Sequence, residues 1–429
     1  MASAPENVPT YSRWDSDVRL LAWLATCVSV FSFLFYFQRG EVLLYGDAVA
    51  HINIARRVFD SKTPGLLQLG TVWLPLPHLL MIPFLISQEM WRRGVGGSIP
   101  SLAAYVLGVV GMFRLVRGVL SGEREPNAAA RIAAGTAALV YAANPNLIYL
   151  QTTAMGEALY LALFIWGVVY FSEFIGGDAK ALTKCGLCLA AACLTRYDGW
   201  FLAAAMAGAV VFSFLRRNTA ENGPRENRFQ RNRALKFVLV AAAAPALWLA
   251  YNGIIYRNPL EFENGPYSAR AIERRTESSG NPGHPGSGNP LLAGLYFVKS
   301  SEANMAENSW LQRLWILLAL AALVAVGHSR LSKSARLAPS VPWPALLFLL
   351  VPVLFYALSI AYGGVPLFVP AWWPFTHYNV RYGLQLLPAF AAALAVIVYL
   401  ALRSAQEARL RLAVVLGAYA LLMGSYASV

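Results

Sequence analysis

The feature that most limits what this chain can fold into is the recurrence of long, predominantly apolar runs. Each approaches the roughly twenty residues with which an α-helix crosses the hydrocarbon core of a bilayer. Such runs lie near 19–37, 100–118, 129–146, 155–173, 181–195, 199–215, 235–256, 311–328, 343–362, 383–402 and 411–427, eleven in all. Backbone in hydrocarbon has no water to bond, so a spanning segment must close its hydrogen bonds internally, as a helix does. The prediction is an all-α, polytopic transmembrane helical bundle. A soluble fold is excluded on composition: with 57% hydrophobic and 13% charged residues, one core would have to bury many helices that are apolar on every side.

A twelfth apolar segment, WLPLPHLLMIPFLI at 73–86, is short and carries three prolines and His78, so it is read as a helix lying in the interface. Counting it as a span would reverse every later loop, and charge decides between the two counts. With eleven spans and the N-terminus inside, the short cytoplasmic connections collect Arg13 and Arg19; Arg114, Arg117, Arg124 and Arg131; and Lys180 and Lys184. They also collect the cluster Arg216, Arg217, Arg225, Arg228, Arg231, Arg233 and Lys236, then Arg330, Lys333 and Arg336, and finally Arg403, Arg409 and Arg411. The short external connections hold little besides Arg196 and Arg381. This is the positive-inside bias of a consistent topology. It also accounts for the net charge of +13 without nucleic acid as a partner.

Cys27, Cys185, Cys188 and Cys193 all fall within apolar runs, where a thiol behaves as a small hydrophobe, so CGLC at 185–188 is read as packing. The first apolar run follows a polar start without a small-residue cleavage site and is read as an uncleaved span. No G-x-x-x-x-G-K-[ST] loop, H-E-x-x-H, G-x-S-x-G elbow or metal-spaced Cys/His cluster occurs, which argues against ATP hydrolysis, zinc proteolysis and serine acyl transfer.

Five polar islands then share the external face. They are LLYGDAVAHINIARRVFDS at 43–61, NPNLIYLQTTAMGE at 144–157, TRYDG at 195–199, the long loop 257–310, and PAWWPFTHYNVRYG at 370–383. Irregular polar backbone near a bilayer is tolerated where it is buried in protein or lines a wet cavity, so five islands on one side point to one cavity. Asp47 is either the N-cap of the helix AVAHINIARRVF or a base placed where an external substrate can reach it. His51, four residues on, shares its helix face, as a hydrogen-bond partner or a catalyst. Of Arg56 and Arg57, one is expected to reach lipid head groups. His78 is expected to line the cavity.

Glu157 stands at the lip of a span, where a carboxylate needs a cation; Arg196 is the candidate, either as a structural pair or as part of a site. Arg196 and Asp198 lie in the three-residue polar turn of LTRYDGWF, where an internal ion pair would be a fold-specifying device rather than a catalyst. In the long loop, Tyr267, Arg270, Glu273 and Arg274 read as a solvated helix face, with an arginine available for phosphate. NPGHPGSGNP at 281–290 reads as a mobile loop, followed by a helix starting at Asn289 and Pro290 and running to about Ser301. Arg381, flanked by His377, Tyr378, Asn379 and Tyr382, precedes a span directly and needs a partner, for which a phosphate is well suited.

Taken together, GDAVAHINIARRVFDS, QLGTVWLPLPHLL, MGEALYLALF, LTRYDGW and YNVRYGLQLLP resemble the membrane-embedded glycosyltransferases of the GT-C superfamily, including the mannosyltransferases and aminoarabinose transferases that use polyprenyl-phosphate sugars. The resemblance extends over most of the chain. It implies about seven shared N-terminal spans within 1–256, a catalytic external loop at 38–99 with interfacial helices near 47–60 and 73–90, an external substrate loop at 257–310, and a four-span C-terminal module at 311–429. It implies inverting transfer from a polyprenyl-phosphate sugar to a protein, glycan or lipid acceptor on the extracytoplasmic face of the plasma (inner) membrane. Asp47 would be the general base. Arg381, Arg270 and Lys299, with His377 and Tyr382, would hold the donor phosphate, and His51, His78, Glu157, Arg196, Asp198 and Tyr267 would line the cavity. Several relatives carry paired acids in the first loop, some with a divalent metal; here Asp47 is followed by Ala48 and Val49, a departure from that pattern. The rival expectation is a transporter or lipid flippase, which places its charges near the bilayer midplane in broken helices rather than at span ends on one face.

Overall fold

Helix is what an apolar chain adopts when its backbone must bond to itself, and every regular element among the described residues is helical. The computed structural model describes residues 15–121, 127–217, 224–278, 284–331, 344–365, 380–427 and 429. Asp15 caps the first helix, its carboxylate accepting from the Val18 N–H at 3.0 Å, and α1 (Ser16–Gln38) follows as a 23-residue apolar rod. The chain then enters a polar excursion of α2 (Gly46–Arg57), a 3₁₀ turn (Leu66–Leu69), α3 (Leu76–Leu85) and α4 (Gln88–Arg92). The second interfacial element, expected as one helix near 73–90, is two: Ser87 is extended and caps α4.

The chain goes on through α5 (Val95–Ser121), α6 (Ala128–Ala142), α7 (Pro145–Leu150), α8 (Glu157–Ile175), α9 (Ala181–Cys193), α10 (Asp198–Arg217) and α11 (Pro224–Tyr256). A second excursion holds α12 (Glu261–Asn264), α13 (Ala269–Ser278) and α14 (Pro290–Ala303). Asn289 caps α14, accepting from the Leu292 N–H at 3.1 Å with Pro290 at the first position, as the sequence predicts. The last part comprises α15 (Ser309–Leu331), α16 (Pro344–Leu347), a 3₁₀ turn (Phe348–Leu350), α17 (Val351–Tyr362), a 3₁₀ segment (Val380–Leu386), α18 (Leu387–Ser404) and α19 (Ala408–Tyr426).

Eight helical segments among the described residues are long and apolar enough to cross a membrane. Ala128–Ala142, Ala181–Cys193 and Asp198–Phe214, where three further spans are expected, are shorter apolar helices, as is Leu76–Leu85. Burial is graded as in a membrane bundle. The segments of α5, α8 and Val380–Ser404 are mostly enclosed, while α1, α15 and α19 keep most of their apolar surface outside. Large apolar side chains such as Phe31, Leu247, Ile254 and Val324 are 66–71% exposed, a belt suited to lipid rather than water.

Small residues set the close approaches in the core: a Cβ added at Gly111 of α5 would lie 2.9 Å from Ile165 Cγ2 of α8, and one at Gly108 would collide with the Tyr141 ring of α6. At one end, Asp15 bonds Arg117 at 2.6 Å, Asp17 bonds Arg131 at 2.6 Å, and Arg114 pairs with Glu173. These contacts join the starts of α1 and α6 to the ends of α5 and α8, so those four helices alternate in direction. Their opposite ends carry the polar loops. The four cysteines form no disulfide. Cys185 is buried with its Sγ 3.3 Å from the Gly167 carbonyl.

Candidate functional site

At the loop-bearing end, α2, α8, the α9–α10 turn, α17 and the 3₁₀ segment before α18 wall a cavity of about 390 Å³. Asp47 lies in the first turn of α2 but is not its cap; Tyr45 occupies that position without a side-chain bond. Freed from capping, the Asp47 carboxylate turns to Arg381, with Oδ2 2.5 Å from Nη2. The pair spans 334 positions of sequence. Its two members are unequally placed: the Asp47 side chain is 38% exposed and the Arg381 side chain 10%. Both line the cavity, and the acid is the more accessible of the two.

Arg381 is fixed by what surrounds its 3₁₀ segment. The Val380 carbonyl accepts from Ser300 Oγ of α14 at 2.9 Å and from Nδ2 of Asn304, the C-cap of α14, at 2.5 Å. Gly383 lies flush against the Ser300 backbone, where a Cβ would collide. Asn304 is tied in turn to α7 by the Asn144 and Asn146 amides at 2.7 and 3.0 Å. The guanidinium faces the rings of Tyr45 and Tyr382 at 5.5 and 5.3 Å.

Glu157 is the first residue of α8 and is buried. Its Oε1 lies 3.4 Å from Arg196 Nη1 and 3.7 Å from Arg381 Nε, so one carboxylate stands between two guanidiniums. Arg196 also reaches Asp198 Oδ2 at 3.4 Å and donates to the Tyr356 hydroxyl at 2.8 Å; that hydroxyl lies 3.3 Å from Asp198 Oδ2. The turn that presents these groups is tight because Gly199 packs on the α9 backbone, where a Cβ would stand 2.7 Å from the Ala192 carbonyl. Three carboxylates and two guanidiniums thus share one wall. Removing one partner from such a buried pair typically costs 3–5 kcal/mol.

His51 lines the cavity against Trp73, the rings 4.8 Å apart, and its Nδ1 lies 2.7 Å from His78 Nε2. Burial lowers the His51 imidazole from its ordinary 6.5 to about 4, so the ring is neutral at physiological pH. His78 is likewise held well below its ordinary value, by burial first and His51 second. The loop between α2 and α3 is fastened by the Tyr197 hydroxyl, which donates to the Val72 carbonyl at 3.1 Å, by the Leu76 N–H on the Leu194 carbonyl at 2.9 Å, and by a Thr71–Asn252 bond.

The structure therefore brings together Asp47, His51, Glu157, Arg196, Asp198, Arg381 and Tyr382. It places other expected residues elsewhere. His78 does not line the cavity; it is fully buried behind His51, with which it pairs. Lys299 is held by Glu302 at 2.7 Å, one turn along its own helix. Arg270 is exposed on α13 next to the lining residue Ala269, and Tyr267 is 72% exposed. His377, with Tyr378 and Asn379, lies outside the described residues. Arg56 is not free for lipid: it bonds Asp60 and the Leu85 and Ile86 carbonyls. His284, expected in a mobile loop, is buried, pairs with Glu273 and bonds the Ile360 carbonyl at 2.7 Å.

Tyr356, Glu263 and Phe262 join the lining without having been singled out. Tyr356 sits within an apolar span, and no local pattern separates a hydroxyl that bridges an ion pair from one that only packs. Among the described residues, no three of His, Cys, Asp and Glu converge to hold a metal ion, and no step below is routed through one. No protein-family model matches this chain, and no curated protein does.

Proposed function

We propose that this is an integral membrane glycosyltransferase of the GT-C type, with about eleven spans, its N-terminus cytoplasmic and its cavity on the extracytoplasmic face. It transfers a sugar from a polyprenyl-phosphate donor with inversion. The observation that carries the proposal is the accessible Asp47 carboxylate at a cavity wall, paired at 2.5 Å with the largely buried Arg381. Both the positive-inside bias and the motif resemblance support the same reading.

Asp47 presents a carboxylate oxygen at the cavity wall, within reach of an acceptor proton, as a general base must. It takes the proton of an acceptor hydroxyl as that oxygen forms a bond to the anomeric carbon. The bond from that carbon to the phosphate oxygen breaks on the opposite face, and the electron pair leaves with the polyprenyl phosphate. Charge developing on the phosphate is met by the N–H groups of Arg381, already oriented by Asp47 and Glu157. The lipid tail remains in the bilayer, for which the exposed apolar belt provides contact.

The test is transfer from radiolabelled polyprenyl-phosphate sugars by the purified wild type and Asp47→Asn. The substitution is expected to lower transfer by about 10²–10⁴-fold, the ordinary worth of a general base, while donor binding persists. Undiminished turnover by Asp47→Asn sinks the mechanism.

A further inference from the structure

Three polar atoms of the cavity wall are buried without a hydrogen-bond partner among the described residues: Glu157 Oε2, Asp198 Oδ1 and Arg381 Nε. Glu157 is 1% exposed and Asp198 2%, and both line the cavity. Each carboxylate commits its other oxygen to the same Arg196 guanidinium, so both belong to one charged cluster of the wall. A buried carboxylate oxygen left without a hydrogen bond costs about 1–3 kcal/mol or more, so an occupant that donates to Glu157 Oε2 and Asp198 Oδ1 is stabilised in this cavity.

Their chemistry specifies that occupant. Ionised carboxylate oxygens can only accept and a guanidinium N–H can only donate. A phosphate diester has acceptors alone: it suits Arg381 and is repelled by Glu157 and Asp198. An isoprenoid chain offers neither donor nor acceptor. A sugar ring presents hydroxyl donors on adjacent carbons.

We infer that Glu157 Oε2 and Asp198 Oδ1 are the sugar-reading positions of the cavity, each accepting from one hydroxyl of the transferred sugar while the donor phosphate lies toward Arg381. This rests on the glycosyltransferase reading and adds to it the orientation of the donor and two specificity-determining residues. Arg196 and Tyr356 act as positioning residues that aim the two carboxylates.

The experiment is equilibrium binding to the full chain in lipid nanodiscs. The ligands are bare polyprenyl phosphate and a panel of polyprenyl phosphates carrying mannose, glucose, galactose or arabinose. At least one glycosylated lipid is expected to bind about tenfold or more tighter than the bare lipid, the worth of hydrogen bonds to charged acceptors. In monodeoxyfluoro analogues of that sugar, fluorine keeps the size of a hydroxyl but cannot donate. Fluorination at two positions is expected to weaken wild-type binding about tenfold each. Glu157→Gln is expected to remove the penalty at one position and Asp198→Asn at the other.

A wild type indifferent to fluorination at every position overturns the inference whether or not the variants fold. So do penalties that persist in both variants, the result if water satisfies these oxygens. A chain that binds no bare polyprenyl phosphate overturns the proposed function itself, a different outcome from normal lipid binding without sugar discrimination.

Discussion

Asp47 and Arg381 illustrate how a residue's partner decides its chemistry. Sequence leaves Asp47 open as a cap or a base; its 2.5 Å contact with Arg381 across 334 positions assigns the carboxylate to the cavity. His51 is governed by burial instead. Its imidazole is lowered to about 4 from 6.5, so between those values an unfolded chain binds a proton that the folded chain refuses. Stability from this group is intact above pH 6.5 and falls as pH drops toward 4, by about 1.4 kcal/mol per pH unit. Stability measured by thermal unfolding in detergent from pH 7.5 to 5 is expected to fall at least this steeply below pH 6.5, since the buried His78 adds a slope of the same sign, and His51→Asn to make the fall shallower. An unchanged slope in the variant would place the titration elsewhere.

At the scale of elements, the 3₁₀ segment Val380–Leu386 matters more than its length implies, because it delivers Arg381 and Tyr382 to the site. It is held by Ser300 and Asn304 at the end of α14, with Gly383 seated on the Ser300 backbone. Gly383→Ala puts a methyl group into backbone that cannot yield cheaply. It is expected to lower stability by about 1–3 kcal/mol, seen as a reduced Tm, and to depress transfer further by displacing Arg381. A variant with wild-type Tm and turnover would mean that α14 does not set the position of the arginine. The boundary at Asn289 and Pro290 was legible because capping is local and proline marks the first position, whereas Ser87 caps α4 with no proline beside it, directly after an apolar run.

For the whole molecule, the ion pairs of Asp15, Asp17 and Glu173 gather at one end of the helices and the cavity at the other. If the ends lie on opposite sides of a membrane, a cysteine at exposed Leu44 in a cysteine-free background should react with an impermeant maleimide added outside intact cells. One placed at Asn227, in the basic stretch 216–236, should react only after permeabilisation. Labelling of both sites from outside would reject the eleven-span arrangement. A helical bundle with eight segments able to span a membrane was readable from hydropathy alone, since solvent selects for it residue by residue.

What the sequence determined by itself is the set of apolar helices, the asymmetry of its basic loops and the short motifs that place Asp47, Glu157, Arg196 and Arg381 at helix ends. Each of these is written locally, in composition and spacing. Only the tertiary structure decided which polar groups meet: that Arg381 takes Asp47 while Lys299 goes to Glu302, that His78 stands behind His51, and that Tyr356 bridges Arg196 and Asp198. Those pairings depend on helix packing between segments far apart in the chain. A buried charge must bond whatever that packing brings within reach.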